Sequence, residues 1–183
     1  MRTLGANADI WRTADRWEIG RALALIAQGG FEGTLLYAAE GVAFVEKRAP
    51  EIARALKEHG LRLLQLHADW PSLIDADEPA RSRALAEHFR WGELAGRLGA
   101  EVLVVHPTGR SSSGRYLAGE EAMEALAEGY GKLAKSADNA GVTLAVENDL
   151  PPSEGATRAH VGGRVKELLA LCEVVGASNL GIC

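Results

Sequence analysis

Three copies of one short pattern constrain this chain more than any other feature. The segments LRLLQLHA (residues 61–68), EVLVVHPT (101–108) and VTLAVEND (142–149) are apolar runs that end in polar side chains. Each follows a helix-like stretch closed by glycine, at Gly60, Gly99 and Gly141. A fourth run, LGIC, follows VVGASN at residues 180–183. Short apolar runs on a regular period, each preceded by a helical pattern, are the signature of successive βα units with parallel strands. Runs such as LVV and LAV have no polar face, as expected of strands covered on both sides.

The polar ends of the three runs are His67, His106 and Glu147. Neutral imidazole and carboxylate are ligands for zinc and for harder divalent ions. In a parallel sheet they would stand at the strand C-terminal ends, where barrel folds gather their function. A lone strand-end histidine can equally cap a turn, and a lone strand-end glutamate can face solvent. Three on one period point instead to a shared site.

The spacing predicts further elements along the chain. Residues 3–10 read as a weak strand. Asp15 reads as the cap of a helix beginning near Arg16, with Glu18 reaching back to it and Gly29-Gly30 ending it. Residues 33–38 read as a strand and 42–59 as a helix, in which Pro50 is acceptable only at a break or a first turn. Helices are expected over about 80–98 (apolar face Leu85, Phe89, Leu94, Leu98), over 120–139 (Met123, Leu126, Tyr130, Leu133), and over about 164–175. The loop GRSSSGRYLAG after His106 reads as mobile. His59 and His88 read as surface residues of helices.

Loops after the strands are long and polar, whereas those before them are short. That asymmetry favours an α/β fold of the (β/α)8 TIM-barrel type over a doubly wound sheet. The latter would carry a glycine-rich phosphate loop, and no G-x-G-x-x-G or Walker sequence is present. With 183 residues, apolar content of 47% and charged content of 25%, one globular domain with a sizeable core is expected. A net charge of −5 with dispersed basic residues argues against a phosphate-backbone binder, so no nucleic-acid partner is expected. No run of eighteen apolar residues exists, so no membrane span is expected. The N-terminus has no apolar core of a signal peptide, and the only cysteines are Cys172 and Cys183, which fits a reducing, cytoplasmic setting.

The segments QLHA, LGAEVLVVHPTG, GYGKLAKSADNAGVTLAVEN and LLALCEVVGASNLGIC resemble the xylose isomerase-like barrel superfamily, over nearly the whole chain. That group includes sugar-phosphate isomerases and epimerases, inosose dehydratases, hydroxypyruvate isomerases and type IV apurinic endonucleases. The last segment is similar to the one that runs directly into an Asp-x-Gly-His motif in the family. The barrel of such relatives needs about 250 residues. The resemblance therefore implies an incomplete barrel here, about five βα units plus the start of strand six, with residues 1–183 forming a single domain truncated at the C-terminus.

The resemblance implies that Glu147 is a divalent-metal ligand (Mn²⁺, Mg²⁺ or Zn²⁺) and the catalytic acid/base. It implies that His106 and His67 are metal ligands or substrate contacts. Asn148 and Glu154 lie in the loop after Glu147, where their polar groups read as contacts for sugar hydroxyls or as loop solvation. Arg158 and His160 share the loop with Glu154, and Arg158 could meet a phosphate. Trp11, Trp70 and Tyr37 follow strand ends and could wall an apolar side of the pocket. Leu35 stands where many relatives have a glutamate, which removes a substrate role there. The expected function is a metal-dependent isomerase or epimerase of a small sugar, sugar phosphate or hydroxy-keto compound. Alternatives are an inosose dehydratase-like lyase, a zinc-dependent endonuclease-like phosphoesterase, or a catalytically inactive piece. The uncovered edges of an incomplete barrel would favour self-association into a homo-oligomer.

Overall fold

The computed structural model describes residues 3–8, 12–13, 16–37, 40–149 and 161–183, with backbone alone at 12–13 and 16–17. The elements run β1 (Gly5–Asn7), β2 (Arg12–Thr13), β3 (Arg16–Trp17), α1 (Ile19–Gln28), β4 (Gly33–Tyr37), α2 (Val42–His59), β5 (Arg62–His67), α3 (Glu78–Leu98), β6 (Val102–Val105), α4 (Gly119–Asn139), β7 (Thr143–Val146), α5 (Val165–Val175) and β8 (Leu180–Ile182). Six strands form one sheet in the order β1-β4-β5-β6-β7-β8, and every pairing in it is parallel. Strand follows helix follows strand around the sheet, the βα alternation of a TIM barrel, with six parallel strands present. The repeating pattern read from the sequence is this sheet.

Burial explains the apolar strands. Leu103, Val104 and Val105 in β6 are all fully buried, so neither face of that strand meets water. Helices cover the outer face. On α4, Leu126, Tyr130, Leu133 and Ala137 recur at helical spacing and are fully buried.

Helix ends follow sequence signals. Asp77 caps α3 by accepting from the Ala80 N–H at 3.1 Å, a contact worth about 1 kcal/mol. Gly60, Gly99 and Gly176 close α2, α3 and α5 in the left-handed conformation, which side chains other than glycine adopt at a cost.

Four expectations need correction. The first helix does not begin near Arg16. Arg16–Trp17 pairs with Arg12–Thr13 as a small antiparallel ribbon, and α1 starts at Ile19 behind Glu18. Asp15, the expected cap, lies outside the described residues. Pro50 does not break α2, which runs through it without interruption. Pro50 is exposed, while Val45, Ala49, Ile52 and Leu56 bury the opposite face.

The third correction concerns α3, whose buried face is rotated from the expected one. Ala84, His88, Trp91 and Ala95 join Leu94 and Leu98 inside, while Leu85 and Phe89 sit half-buried at its edge. His88 is thus a core residue, not a surface one. It is fully buried, and its Nε2–H donates to the Pro71 carbonyl at 3.0 Å. His59 is half-buried.

Fourth, the serine-rich loop after β6 is tied down, not loose. The buried Asp75 carboxylate accepts from the Ser111 hydroxyl (2.8 Å), the Ser112 N–H (2.7 Å) and the Ser113 N–H (3.1 Å). The Ser113 hydroxyl and the Asp77 N–H also donate to it. Burial pushes the Asp75 carboxyl up, but these donors, Ser113 first, outweigh it and hold the group well below the usual carboxylate range.

Candidate metal centre

The sheet register brings the three strand-end residues together. His67 pairs with Val104, and Val104 with Ala145. His106 and Glu147 each lie two residues beyond those partners, on the same side of the sheet. Backbone bonds carry the ladder past the strands: Ala68 N–H to the Val104 carbonyl and Glu147 N–H to the Val105 carbonyl, both at 2.9 Å. The side chains then converge. His67 Nε2 is 2.9 Å from Glu147 Oε2, His106 Nε2 is 3.3 Å from His67 Nε2, and His106 Nε2 is 3.8 Å from Glu147 Oε2.

The contacts on the far side of each ring decide what these atoms are. His67 Nδ1 lies 3.0 Å from the Ala68 carbonyl. A carbonyl only accepts, so Nδ1 carries the proton and, in the neutral ring, Nε2 presents its lone pair. His106 Nδ1 faces Asp149 Oδ1 at 3.2 Å. The approach is off-line, so the contact is not a hydrogen bond, and the buried Nδ1 has no hydrogen-bond partner among the described residues. The carboxylate also only accepts, so His106 Nε2 is bare as well. With both rings neutral, two imidazole lone pairs and a carboxylate oxygen converge here; a proton on His67 Nε2, bonded to Glu147 Oε2 at 2.9 Å, or a bound cation satisfies them equally.

A divalent ion fits that demand. Bonds of about 2.1 Å in tetrahedral geometry place donors about 3.4 Å apart, and the three observed separations bracket this spacing. His67, His106 and Glu147 are the group of described His, Cys, Asp and Glu side chains whose ligand atoms all lie within 4.8 Å of one another. The histidines are largely buried and Glu147 is 39% exposed, so the third donor lies on the open side of the site.

Residues around the trio hold it in place. Tyr37 packs edge-on against His67 at 4.9 Å between ring centres, and Trp70 against His106 at 4.7 Å. These two rings pack against the imidazoles from one side. The fully buried Tyr130 donates its hydroxyl to the His106 carbonyl at 2.8 Å. Burial pushes its phenol well above the ordinary range, keeping the proton that the bond needs.

Asp149 accepts the Thr108 N–H at 2.9 Å on its second oxygen. Burial pushes its carboxyl up, but the facing His106 ring and the bonds from Thr108 outweigh this and hold it below the usual range. Tyr130 and Asp149 were not singled out by sequence reasoning. Tyr130 was read as helix core, and Asp149 carries no signal apart from its position two residues past Glu147.

Asn148 is not brought into the cluster. It is exposed, and its amide makes one long contact of 3.4 Å to the Asp149 carbonyl. Strand alternation turns it away from Glu147. Leu35 is half-buried in β4. Glu154, Arg158, His160 and Trp11 lie outside the described residues. Among the described residues, no helix is long and apolar enough to cross a membrane.

The fold is shared with several sugar-processing enzymes. The structure of 3-keto-D-glucoside 4-epimerase YcjR from E. coli, in its apo form, superposes with a TM-score of 0.76 at 16% identity, over 100% of this chain and 67% of that one. A D-psicose 3-epimerase with D-tagatose, from Clostridium cellulolyticum H10, gives a TM-score of 0.79 at 14% identity, covering 99% and 62%. The IOLI protein with a bound zinc atom gives 0.74 at 16%, covering 99% and 62%. The chain thus spans about two thirds of the length of these structures. No curated protein sequence matches it significantly. The sequence profile of one family does match, over residues 23–183. By that match, which takes in His67, His106 and Glu147, the chain belongs to the xylose isomerase-like TIM barrel family.

Proposed function

We propose that this chain belongs to a metal-dependent isomerase or epimerase acting on a small sugar, sugar phosphate or hydroxy-keto compound. The observation that carries the reading is the meeting of the His67 Nε2, His106 Nε2 and Glu147 Oε2 lone pairs at 2.9–3.8 Å. These atoms would hold a divalent ion (Zn²⁺, Mn²⁺ or Mg²⁺), which when bound supplies Lewis-acid polarisation of a substrate carbonyl. Glu147 is the open-side member of the set, and its carboxylate moves the proton at the carbon next to that carbonyl. Tyr37 and Trp70 pack beside the imidazoles and restrict water. Glu154, seven residues after Glu147 in the sequence, binds sugar hydroxyls. The epimerase neighbours and the family match support a sugar-like substrate. Residues 1–183 form one barrel domain of a cytoplasmic protein that acts as a homo-oligomer.

The test is proton exchange in deuterated water. The protein is incubated with a panel of ketoses and ketose phosphates plus each metal in turn, and the signal of the proton next to the carbonyl is followed by NMR. Metal-dependent loss of that signal, abolished in Glu147→Gln, supports the reading. Release of water to give an unsaturated or deoxy product would identify a dehydratase instead. No exchange with any substrate and metal contradicts both.

One observation favours a second reading. Two imidazoles and one carboxylate with an open side also make a zinc site that activates water. A zinc-dependent phosphoesterase of the endonuclease type would bind abasic duplex DNA with steep salt dependence. Absence of binding at low salt removes it.

A further inference from the structure

We infer that Asp149 is a positioning residue that fixes His106 as the Nδ1–H tautomer and so keeps the Nε2 lone pair aimed at the metal position. Only the consequence for metal affinity rests on the reading above. The tautomer itself is a property of the metal-free protein.

The argument begins with the two carboxylate oxygens. Oδ2 accepts the Thr108 N–H at 2.9 Å, and Oδ1 lies 3.2 Å from His106 Nδ1, close enough for a charge–dipole contact although off the line of a hydrogen bond. Both partners have to be donors, because an ionised carboxylate offers nothing to donate. Thr108 cannot change roles, since a backbone N–H only donates. His106 can: its ring accepts at Nδ1 in the other tautomer. A carboxylate at this place therefore selects between two imidazole forms that otherwise differ little in energy.

The carboxylate is held against rotation. The Asp149 N–H donates to the Gly162 carbonyl at 3.1 Å. The Thr108 hydroxyl donates to the Val161 carbonyl at 2.9 Å. Gly162 sits on Pro107 so closely that a Cβ there would lie 2.1 Å from the Pro107 Cγ, and its φ of +101° is disfavoured for other residues. The loop returning from β7 thus clamps the turn that follows His106. Tyr130 fixes the His106 carbonyl from the other side at 2.8 Å. Both ends of the contact are thus anchored.

An amide at this position would reverse the selection. In Asp149→Asn the single oxygen goes to the Thr108 N–H, and the NH₂ group then faces His106 Nδ1. His106 relieves that donor–donor clash by moving its proton to Nε2, pointing it at His67 and Glu147 and covering the lone pair.

The experiment is ¹⁵N NMR of histidine-labelled, metal-free protein, with the His106 signals assigned by their loss in His106→Gln. The wild type is expected to show a protonated Nδ1 and a bare Nε2 at His106. Asp149→Asn is expected to show the reverse, with zinc affinity by calorimetry falling about 10- to 100-fold. An Nε2–H tautomer in the wild type overturns the inference, as does an unchanged tautomer in a folded Asp149→Asn. Should that variant not fold, the wild-type tautomer decides alone. A wild type that shows the expected tautomer but takes up no zinc refutes the metal reading and leaves the positioning role standing.

Discussion

His67 Nε2 and Glu147 Oε2 lie 2.9 Å apart although eighty residues separate them in the chain. Nothing local brings them together. The contact exists because β5, β6 and β7 pair in parallel with a register that places each strand-end side chain on the same side of the sheet. A one-residue slip of β7 would turn Glu147 away and leave two imidazole lone pairs facing each other.

Metal binding should therefore stabilise the folded chain. The three donors are assembled only in the native state, so a bound ion shifts unfolding by mass action. At free Zn²⁺ one hundred times its dissociation constant, the gain is about 2.7 kcal/mol. Urea titrations with and without zinc measure it. Glu147→Gln and His67→Ala should unfold at the same midpoint in both conditions.

His88 makes stability pH-dependent. Burial, larger than the opposing effects of the Pro71 hydrogen bond and of Asp69, lowers its pKa to about 4. In the unfolded chain it titrates near 6.5. Between those values the unfolded state binds the proton and the folded state does not, so stability rises with pH. The contribution is fully present above about pH 6.5 and is lost as pH falls to about 4, a change of about 3 kcal/mol. Urea unfolding across this window should show the slope. His88→Gln, which can still donate to Pro71, should flatten it.

Asp75→Asn should loosen the loop after β6. An amide cannot accept the N–H groups of Ser112, Ser113 and Asp77 while also serving the hydroxyls of Ser111 and Ser113. Leaving buried donors unmet, and losing bonds to a charge, costs about 3 kcal/mol. Faster amide exchange confined to residues 109–116 would accompany the loss. Unchanged exchange there would contradict the role given to Asp75.

Pro50→Ala should stabilise the protein. Pro50 is exposed inside a continuous helix, where proline is about 3 kcal/mol less favourable than alanine. A rise of about 1–3 kcal/mol in unfolding free energy is expected. A fall would mean that α2 depends on a bend at this position.

Much of this arrangement is legible in the chain. The end of α2 follows from Gly60 and the spacing of Ile52 and Leu56, and the three polar strand-end residues stand out because their period matches the βα repeat. What was not legible depends on partners distant in sequence. The face of α3 is set by the Pro71 carbonyl, which offers His88 a partner inside the core, so a residue type usually found at surfaces displaces Leu85 and Phe89 to the edge. Pro50 is tolerated because its outer side meets water, a fact of packing and not of propensity. The serine-rich loop reads as loose until Asp75, some thirty-six residues away, supplies an acceptor for it. Asp149 is the same case: its meaning comes from Thr108 and His106, forty-one residues or more upstream.

The most direct test of the account is zinc X-ray absorption on the metal-loaded protein, alongside His67→Ala, His106→Ala and Glu147→Gln. The account predicts one zinc per chain with two imidazole nitrogens and a carboxylate oxygen in its shell, and weaker zinc binding in every variant. A shell containing cysteine sulfur, or a zinc site that survives all three substitutions unchanged, would contradict it.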